Sequence, residues 1–129
     1  MIAVDTNVVV RLLTGDDKQQ FDRALHLFEK QSVFIPDSVI LEMEWVLRFA
    51  YGFTPEAICD AYDKLFGLPN VHTANPALIS HAIQWHKQGL DFADALHLAL
   101  CQKYDLFFTF DKGFIRKAVG LGQCSVLNP

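Results

Sequence analysis

The chain has 129 residues, of which 51% are hydrophobic and 20% are charged. This length suits a single domain spanning residues 1–129 with its own core, and it excludes a second independent domain. No apolar run approaches the roughly 20 residues of a transmembrane helix, and no secretory signal is evident at the start. Eleven basic residues against fifteen acidic ones give a net charge of -4, which excludes nucleic-acid binding through overall positive charge.

The three cysteines indicate a reducing environment. Cys59, Cys101 and Cys124 are odd in number and lack the C-x-x-C spacing of a zinc site or a redox pair. We therefore expect free thiols that pack as small apolar residues, and a cytoplasmic protein.

The first part of the chain predicts two short strands and three helices. A strand over residues 1–4 ends at Asp5, and the first two helices are expected over about 6–13 and, after a cap at Asp16 or Asp17, to about residue 30. A second strand over 33–35 precedes a helix that is capped by Asp37 or Ser38, is apolar on nearly every side and ends near residue 50.

The remainder predicts further alternation of helices and strands. Thr54-Pro55 starts a helix to residue 66, residues 71–73 are a candidate strand, and Asn75-Pro76 starts a helix to about residue 88. Later elements are a helix from Asp91 to about Tyr104, a buried strand over 106–110 ending at Asp111, a short helix over 114–118 and a strand over 125–127. Short apolar strands that alternate with helices predict an α/β fold with a parallel sheet covered on both faces.

Four acidic residues stand in or beside apolar sequence: Asp5, Glu42, Asp94 and Asp111. Asp5 and Asp111 follow predicted strands, and ligands of parallel sheets bind outside the carboxyl ends of the strands. Each acid also has an ordinary structural explanation, since Asp commonly caps a helix and Asp94 lies in the first turn after Asp91. The joint arrangement favours a site over four separate caps.

Spacing alone does not choose between two glutamates of the third helix. Glu42 and Glu44 each have three apolar residues among their four helical neighbours, so each is expected near the core. If carboxylates converge, their mutual repulsion is relieved by a divalent cation, and an all-oxygen ligand set suits Mg²⁺ or Mn²⁺. Such an ion favours the hydrolysis of phosphodiesters.

Four short motifs, in this order and at these separations, resemble the PIN-domain ribonucleases, and the chain length resembles that of the VapC-type toxins of type II toxin–antitoxin systems. The motifs are Ile2-Ala3-Val4-Asp5-Thr6-Asn7, Leu41-Glu42, Phe92-Ala93-Asp94-Ala95 and Thr109-Phe110-Asp111. The resemblance covers essentially the whole chain.

The resemblance implies that Asp5, Glu42, Asp94 and Asp111 are both the metal ligands and the catalytic residues. It selects Glu42 over Glu44, because Val46-Leu47-Arg48 follows at the family's spacing, and it implies supporting polar roles for Thr6, Asn7 and Thr109. Asp91 is expected to cap its helix, with an outer ligand as the alternative.

The resemblance further implies a three-layer α/β/α sandwich with a short, mainly parallel central sheet and Mg²⁺- or Mn²⁺-dependent cleavage of RNA. A homodimer and a small cognate antitoxin are the implied partners, and no DNA binding is expected of this chain alone. Lys112, Arg116, Arg11 and Arg48 are candidate contacts for RNA phosphates.

Aromatic residues and histidines are expected mainly in structural roles. Phe107, Phe108 and Phe110 are expected to pack in the core, whereas Phe49, Tyr51 and Phe53 are candidates for a dimer or antitoxin interface. His97 lies three residues after Asp94 but is not part of the matching pattern.

Two other functions remain open at this stage. One is a catalytically silent interaction module in which the carboxylates act only as caps. The other is a phosphotransferase that forms an aspartyl-phosphate at Asp5, but the second Asp expected two positions later in one such class is replaced by Asn7.

Overall fold

A computed structural model describes all residues, 1–129, as seven helices and five short strands. The strands are β1 (Ile2–Ala3), β2 (Val33–Phe34), β3 (Val71–His72), β4 (Leu106–Phe108) and β5 (Ser125–Leu127). The helices are α1 (Thr6–Thr14), α2 (Lys18–Lys30), α3 (Asp37–Tyr51), α4 (Pro55–Phe66), α5 (Pro76–Lys87), α6 (Phe92–Leu100) and α7 (Lys112–Lys117). They form two compact units, residues 1–74 and residues 75–129.

The first unit contains a three-stranded parallel sheet in the order β1-β2-β3. Val33 is in register with Ile2 on one side and with Val71 on the other. Helix α1 packs against α2 and α3, and α3 packs against α4. The buried Tyr62 of α4 donates a hydrogen bond of 2.9 Å to the Ile40 carbonyl of α3, which ties these two helices together.

The second unit contains a two-stranded parallel sheet, β4-β5, and a helix pair, α5 and α6. Phe92, Leu96 and Leu98 of α6 are buried. Helix α7 packs against β5, and Phe114 of α7 lies beside Phe107 of β4 with ring centroids 5.5 Å apart.

The predicted α/β class with short parallel strands is confirmed, and most helix starts follow the sequence signals. Asp17 accepts a hydrogen bond from the Gln20 amide, and Thr54 accepts one from the Ala57 amide. The start of α3 was predicted wrongly, because Pro36 occupies the cap position and Asp37 is already the first helical residue.

Helix α6 is shorter than predicted, since it ends at Leu100 and not near Tyr104. The Gln102 side chain donates a hydrogen bond of 3.0 Å to the Leu98 carbonyl. In a continuing helix this carbonyl would instead accept a hydrogen bond from the backbone amide of Gln102. Its Oε1 accepts a hydrogen bond of 2.7 Å from the Gln123 amide. The Gln102 side chain thus connects the end of α6 to the segment that precedes β5.

Strand β4 forms within the predicted range but ends at Phe108, and the predicted burial of the aromatic run is wrong. Leu106, Phe108 and Phe110 are all exposed, Phe110 by 79%, and Phe107 is half-buried. Side chains alternate between the two faces of a strand, so Leu106 and Phe108 share the exposed face, whereas Phe107 points to the other face and packs beside Phe114 of α7.

All three cysteines are free thiols, as predicted, and Cys59 and Cys124 are buried. None of the seven helices combines the length and the apolar character that a membrane crossing demands.

Candidate functional site

Asp5 lies two residues after the end of β1 and is the cap residue at the start of α1. Its Oδ1 accepts a hydrogen bond of 3.2 Å from the Val8 amide and so caps α1. Its side chain is exposed, and Oδ2 has no hydrogen-bond partner in the protein. The capping role is therefore real, yet it leaves one carboxylate oxygen able to bind a ligand.

Asp111 repeats this arrangement in the second unit. Its Oδ1 accepts a hydrogen bond of 3.1 Å from the Phe114 amide and caps α7, while Oδ2 has no partner in the protein. The Thr109 hydroxyl accepts a hydrogen bond of 3.1 Å from the Asp111 amide, which holds the backbone in place ahead of the cap. Thr109 thus supports the backbone at Asp111, and its place beside a functional site stays a prediction.

Asp94 lies in the first turn of α6 and is half-buried. Its carboxylate accepts no hydrogen bond from the protein, whereas its backbone amide donates to the Asp91 carboxylate at 3.4 Å. Burial raises the pKa of Asp94, and the negative charges of Asp91 and Asp111 raise it further, against smaller opposing effects of His97 and Lys117. Asp91 is the helix cap, as expected. A positive charge beside Asp94 would offset the burial and the acidic neighbours that raise its pKa.

The two glutamates of α3 have opposite environments, and the expectation that both lie near the core is wrong for Glu42. Glu42 is exposed, whereas the Glu44 side chain is 2% exposed and its Oε1 lies 2.9 Å from Nε of Arg48. The 100° step of the helix explains the difference, because two residues along the chain turn a side chain to another face. Glu44 has a structural partner, and Glu42 is free to meet a ligand.

Supporting polar residues on α1 also divide between the core and the surface. Thr6 is buried and Asn7 is exposed. Asn7 and Asp5 border a cavity of about 750 Å³ whose other lining residues come from α1 and α2, among them Arg11, Arg23 and His26. Asp5 is therefore accessible from this cavity.

Oxygen donors suited to a hard cation are present, but no group of three or more His, Cys, Asp or Glu side chains is arranged to hold a metal ion. Asp91 and Asp111 lie near enough to Asp94 for their charges to raise its pKa, although these three carboxylates do not form such a group. Carboxylate oxygens are the ligand type that a hard divalent cation prefers. The four-carboxylate site stays a prediction.

The basic residues proposed to contact phosphate fall into two groups. Arg11 is engaged by Asp16 at 3.2 Å and by the Tyr51 hydroxyl at 2.7 Å, and Arg48 is engaged by Glu44. Lys112 and Arg116 are exposed and form no ion pair. The latter two are therefore better placed to bind an incoming phosphate.

Sequence analysis missed an exposed aromatic pair on α3. Trp45 is 58% exposed and Phe49 is 62% exposed, although the helix was expected to be apolar and covered on nearly every side. A signal was available, since the two residues follow Glu42 by three and seven positions and so share its helix face.

Comparisons with known proteins agree with the motifs. The sequence profile of the PIN domain matches residues 2–120. No curated protein matches the chain. Among solved structures, the chain is similar to the crystal structure of Mycobacterium tuberculosis VapC20, described as a sarcin-ricin loop cleaving toxin, with 22% identity, a TM-score of 0.45 and coverage of 100% of both chains. Since the family match spans most of the sequence, the chain belongs to the PIN-domain family.

Proposed function

We propose that this chain is a metal-dependent endoribonuclease and the toxin of a toxin–antitoxin pair. Its proposed catalytic and metal-binding residues are Asp5, Glu42, Asp94 and Asp111. The observation that carries the proposal is the PIN-domain match over residues 2–120, which includes all four acids. The exposed carboxylate oxygens of Asp5 and Asp111 and the unsatisfied carboxylate of Asp94 support it.

The chain's own residues would act chiefly by fixing carboxylate oxygens in place. Capping bonds restrain Asp5 and Asp111, so that each presents one oxygen without a loss of side-chain freedom on binding. The Thr109 hydroxyl restrains the backbone at Asp111, and the exposed Asn7 can donate a hydrogen bond to a phosphate oxygen. Lys112 and Arg116 would hold flanking phosphates and make binding sensitive to salt.

Mg²⁺ or Mn²⁺ is the proposed cofactor, to be held by the four acids. When bound, such an ion supplies a water of lowered pKa and compensates the negative charge that develops on the phosphodiester. Asp94 has the clearest need for it, because its half-buried carboxylate has acidic neighbours and no hydrogen-bond donor in the protein.

The proposed partners are the RNA substrate, a second copy of the chain and a small antitoxin whose tail enters the acidic site. Inhibition by an antitoxin would require the same acids to be covered or neutralised. The cheapest check is to express the chain with and without the product of the adjacent reading frame and to compare RNA degradation.

Cleavage of RNA by the purified chain tests the proposal. Activity is expected with Mg²⁺ or Mn²⁺ and is expected to disappear with a chelator or in Asp94→Asn, while Asp60→Asn, a change at an exposed acid of α4, serves as the matched control. Sequencing of the RNA ends produced on brief induction would identify the target. Full activity of Asp94→Asn, or of the chelated protein, would contradict the catalytic role proposed for Asp94 and for the metal, and absence of cleavage by the parent chain would favour the catalytically silent module.

A further inference from the structure

One buried histidine lies where α5 leads into α6. His86, in the last turn of α5, is 7% exposed. Its Nδ1 lies 2.7 Å from the carbonyl oxygen of Leu90, and its ring meets the Phe92 ring edge-on, with centroids 5.6 Å apart. Phe92 is the first residue of α6 and is itself buried. A single side chain of α5 therefore contacts the residues on both sides of Asp91.

The contact with Leu90 defines which nitrogen of the His86 ring carries the proton. A carbonyl oxygen can only accept a hydrogen bond, so Nδ1 is protonated and is the donor. Nε2 of the neutral ring is then an acceptor, and it is buried with no hydrogen-bond partner in the protein. A buried acceptor without a donor lowers the free energy of unfolding. An apolar side chain would avoid this penalty, but it would lack the Nδ1 donor.

Leu90 is attached to α5 through both of its backbone polar groups. The chain leaves α5 through Gly89, which has a φ of 109°. The Leu90 amide then donates a hydrogen bond of 3.1 Å to the Trp85 carbonyl, and the Leu90 carbonyl accepts the bond from His86. That carbonyl belongs to the peptide unit that joins Leu90 to Asp91. The last turn of α5 thus fixes the direction in which α6 begins.

The same turn determines where Asp94 is presented. Asp91 directly follows Leu90, and its carbonyl accepts a hydrogen bond of 2.8 Å from the Ala95 amide as α6 begins. The capping bond from the Asp94 amide to the Asp91 side chain is 3.4 Å long and therefore weak. The first turn of α6 accordingly depends on how the peptide between Leu90 and Asp91 is held. Since Asp94 lies in this first turn, a rotation of that peptide moves its carboxylate.

We propose that His86 is a positioning residue for the proposed ribonuclease reaction and holds the start of α6 through its Nδ1 bond to Leu90. The inference rests on the proposed function and adds a residue that acts on Asp94 through the backbone. Leu90 is 2% exposed, so loss of this bond would leave its carbonyl buried without a donor. The turn would shift to bring the carbonyl to another donor, and Asp94 would move with it. A displacement of roughly 1 Å can slow an enzyme by about 100-fold, because catalysis depends on placement.

Two substitutions separate the Nδ1 donor from the ring. His86→Asn removes the ring but keeps a donor, because the amide nitrogen of Asn stands at the same distance from Cα along the side chain as Nδ1 does. His86→Phe keeps a ring beside Phe92 and removes the donor. We expect kcat for RNA cleavage to fall by about 10- to 100-fold in His86→Phe, with KM nearly unchanged, and to return most of the way in His86→Asn. Parent-like kcat in His86→Phe, or an equal loss in both variants, would overturn the proposal.

The protonation of the ring can be measured in the parent protein, so the proposal stays testable if His86→Phe fails to fold. NMR of the imidazole nitrogens should show His86 with a proton on Nδ1 and none on Nε2 at neutral pH. A ring protonated on Nε2 alone would overturn the proposal, because Nδ1 could not then donate to Leu90.

Two controls separate positioning from a general loss of stability. Asn70 donates a hydrogen bond of 2.9 Å to the Gln31 carbonyl in the first unit, so Asn70→Leu removes a bond of the same kind far along the chain from α6. It should lower the free energy of unfolding and keep the parent kcat. His81→Phe, at an exposed histidine of α5, should match the parent in both measurements. A fall in kcat in Asn70→Leu as large as that in His86→Phe would assign the effect to stability and reject positioning.

Hydrogen exchange lets this proposal and the nuclease proposal fail separately, because it needs neither RNA nor metal. Protection of the Asp94 and Ala95 amides should fall in His86→Phe and persist in His86→Asn. Cleavage by the parent chain with unchanged protection and unchanged kcat in His86→Phe would keep the nuclease and reject the role of His86. Protection that follows the Nδ1 donor, without any cleavage by the parent chain, would reject the nuclease and keep the hold of His86 on α6.

Discussion

Glu44 and Arg48 form an ion pair of 2.9 Å in which the glutamate side chain is 2% exposed and the arginine side chain is 37% exposed. The pair occupies one face of α3, and Glu42 stands on another, in solvent. A buried carboxylate with a fixed cationic partner has a structural role, because removing the carboxylate charge leaves the cation without a counter-charge. An exposed carboxylate without such a partner can serve a ligand.

This contrast gives the first prediction, a matched pair of isosteric substitutions. Glu42→Gln is expected to abolish RNA cleavage with a free energy of unfolding within about 0.5 kcal/mol of the parent, as is usual at a surface position. Glu44→Gln is expected to lower the free energy of unfolding by roughly 2–4 kcal/mol and to retain cleavage where folded. Urea unfolding and an RNA cleavage assay decide it, and the reverse pattern would exchange the roles of the two residues.

Asp111 allows its capping role to be separated from its proposed ligand role. Asn caps helices about as well as Asp, whereas Ala does not, so Asp111→Asn should keep the stability of α7 and Asp111→Ala should lose about 1 kcal/mol. Both variants lack the carboxylate and are expected to be inactive. If Asp111→Asn unfolds like the parent and still cleaves RNA at the parent rate, Asp111 is only a cap.

In the chelated protein, the negative charge of Asp94 is expected to lower the free energy of unfolding. Its pKa is raised by burial and by the charges of Asp91 and Asp111, so the folded state binds a proton more readily than the unfolded chain. The favourable contribution of protonation is fully present below the unfolded pKa and is lost as the pH rises through the folded pKa. Asp94→Asn should therefore have a higher thermal midpoint than the parent at neutral pH. The corresponding gain in the free energy of unfolding should be less than about 1 kcal/mol, because solvent screens a half-exposed group.

The control for this effect is Asp105→Asn, a change at an exposed aspartate outside the proposed metal site. Its thermal midpoint should stay close to that of the parent. A lower thermal midpoint for Asp94→Asn than for the parent would show that the charge of Asp94 stabilises the fold. It would contradict a destabilising repulsion between Asp94 and the charges of Asp91 and Asp111.

The Tyr51 hydroxyl donates a hydrogen bond of 2.6 Å to Asp16, and this bond is the main reason why the pKa of Asp16 is lowered, with Thr14 and Arg11 adding to it. A lowered pKa stabilises the fold above the unfolded pKa, and that contribution is lost as the pH falls through the folded pKa. Tyr51→Phe should raise the pKa of Asp16 and reduce the amount of stability that is lost as the pH falls. An NMR titration of the Asp16 carboxyl measures it, with Tyr104→Phe as the control, and an unmoved pKa would refute the assignment.

The sequence predicted what depends on local signals. The caps at Thr54 and Asp91 were identifiable because a short polar side chain preceded an apolar periodic run, and the structure contains both hydrogen bonds. For the second helix the sequence left Asp16 and Asp17 as alternatives, and the structure shows that Asp17 is the cap. The end of α6 was not identifiable, because it depends on Gln102, which bonds to Gln123 at a distance of 21 residues in the chain. Such a contact has no local signature.

Burial was the least predictable property. Glu42 and Glu44 have equivalent neighbours in sequence, and only the packing of α3 decides which of them is covered. The aromatic run at Leu106–Phe110 satisfies every sequence criterion for a buried strand, yet most of its side chains are exposed. Hydrophobic patterning predicts that an element forms more reliably than it predicts how completely the element is covered.

Binding of Mn²⁺ to the purified chain is the measurement that tests the central claim most directly, because it needs no knowledge of the RNA. The account predicts that the parent binds Mn²⁺ and that Asp94→Asn, Asp111→Asn, Asp5→Asn and Glu42→Gln each weaken that binding, while Asp60→Asn does not. Parent-like Mn²⁺ affinity in all four variants would contradict the claim that these acids serve a divalent ion.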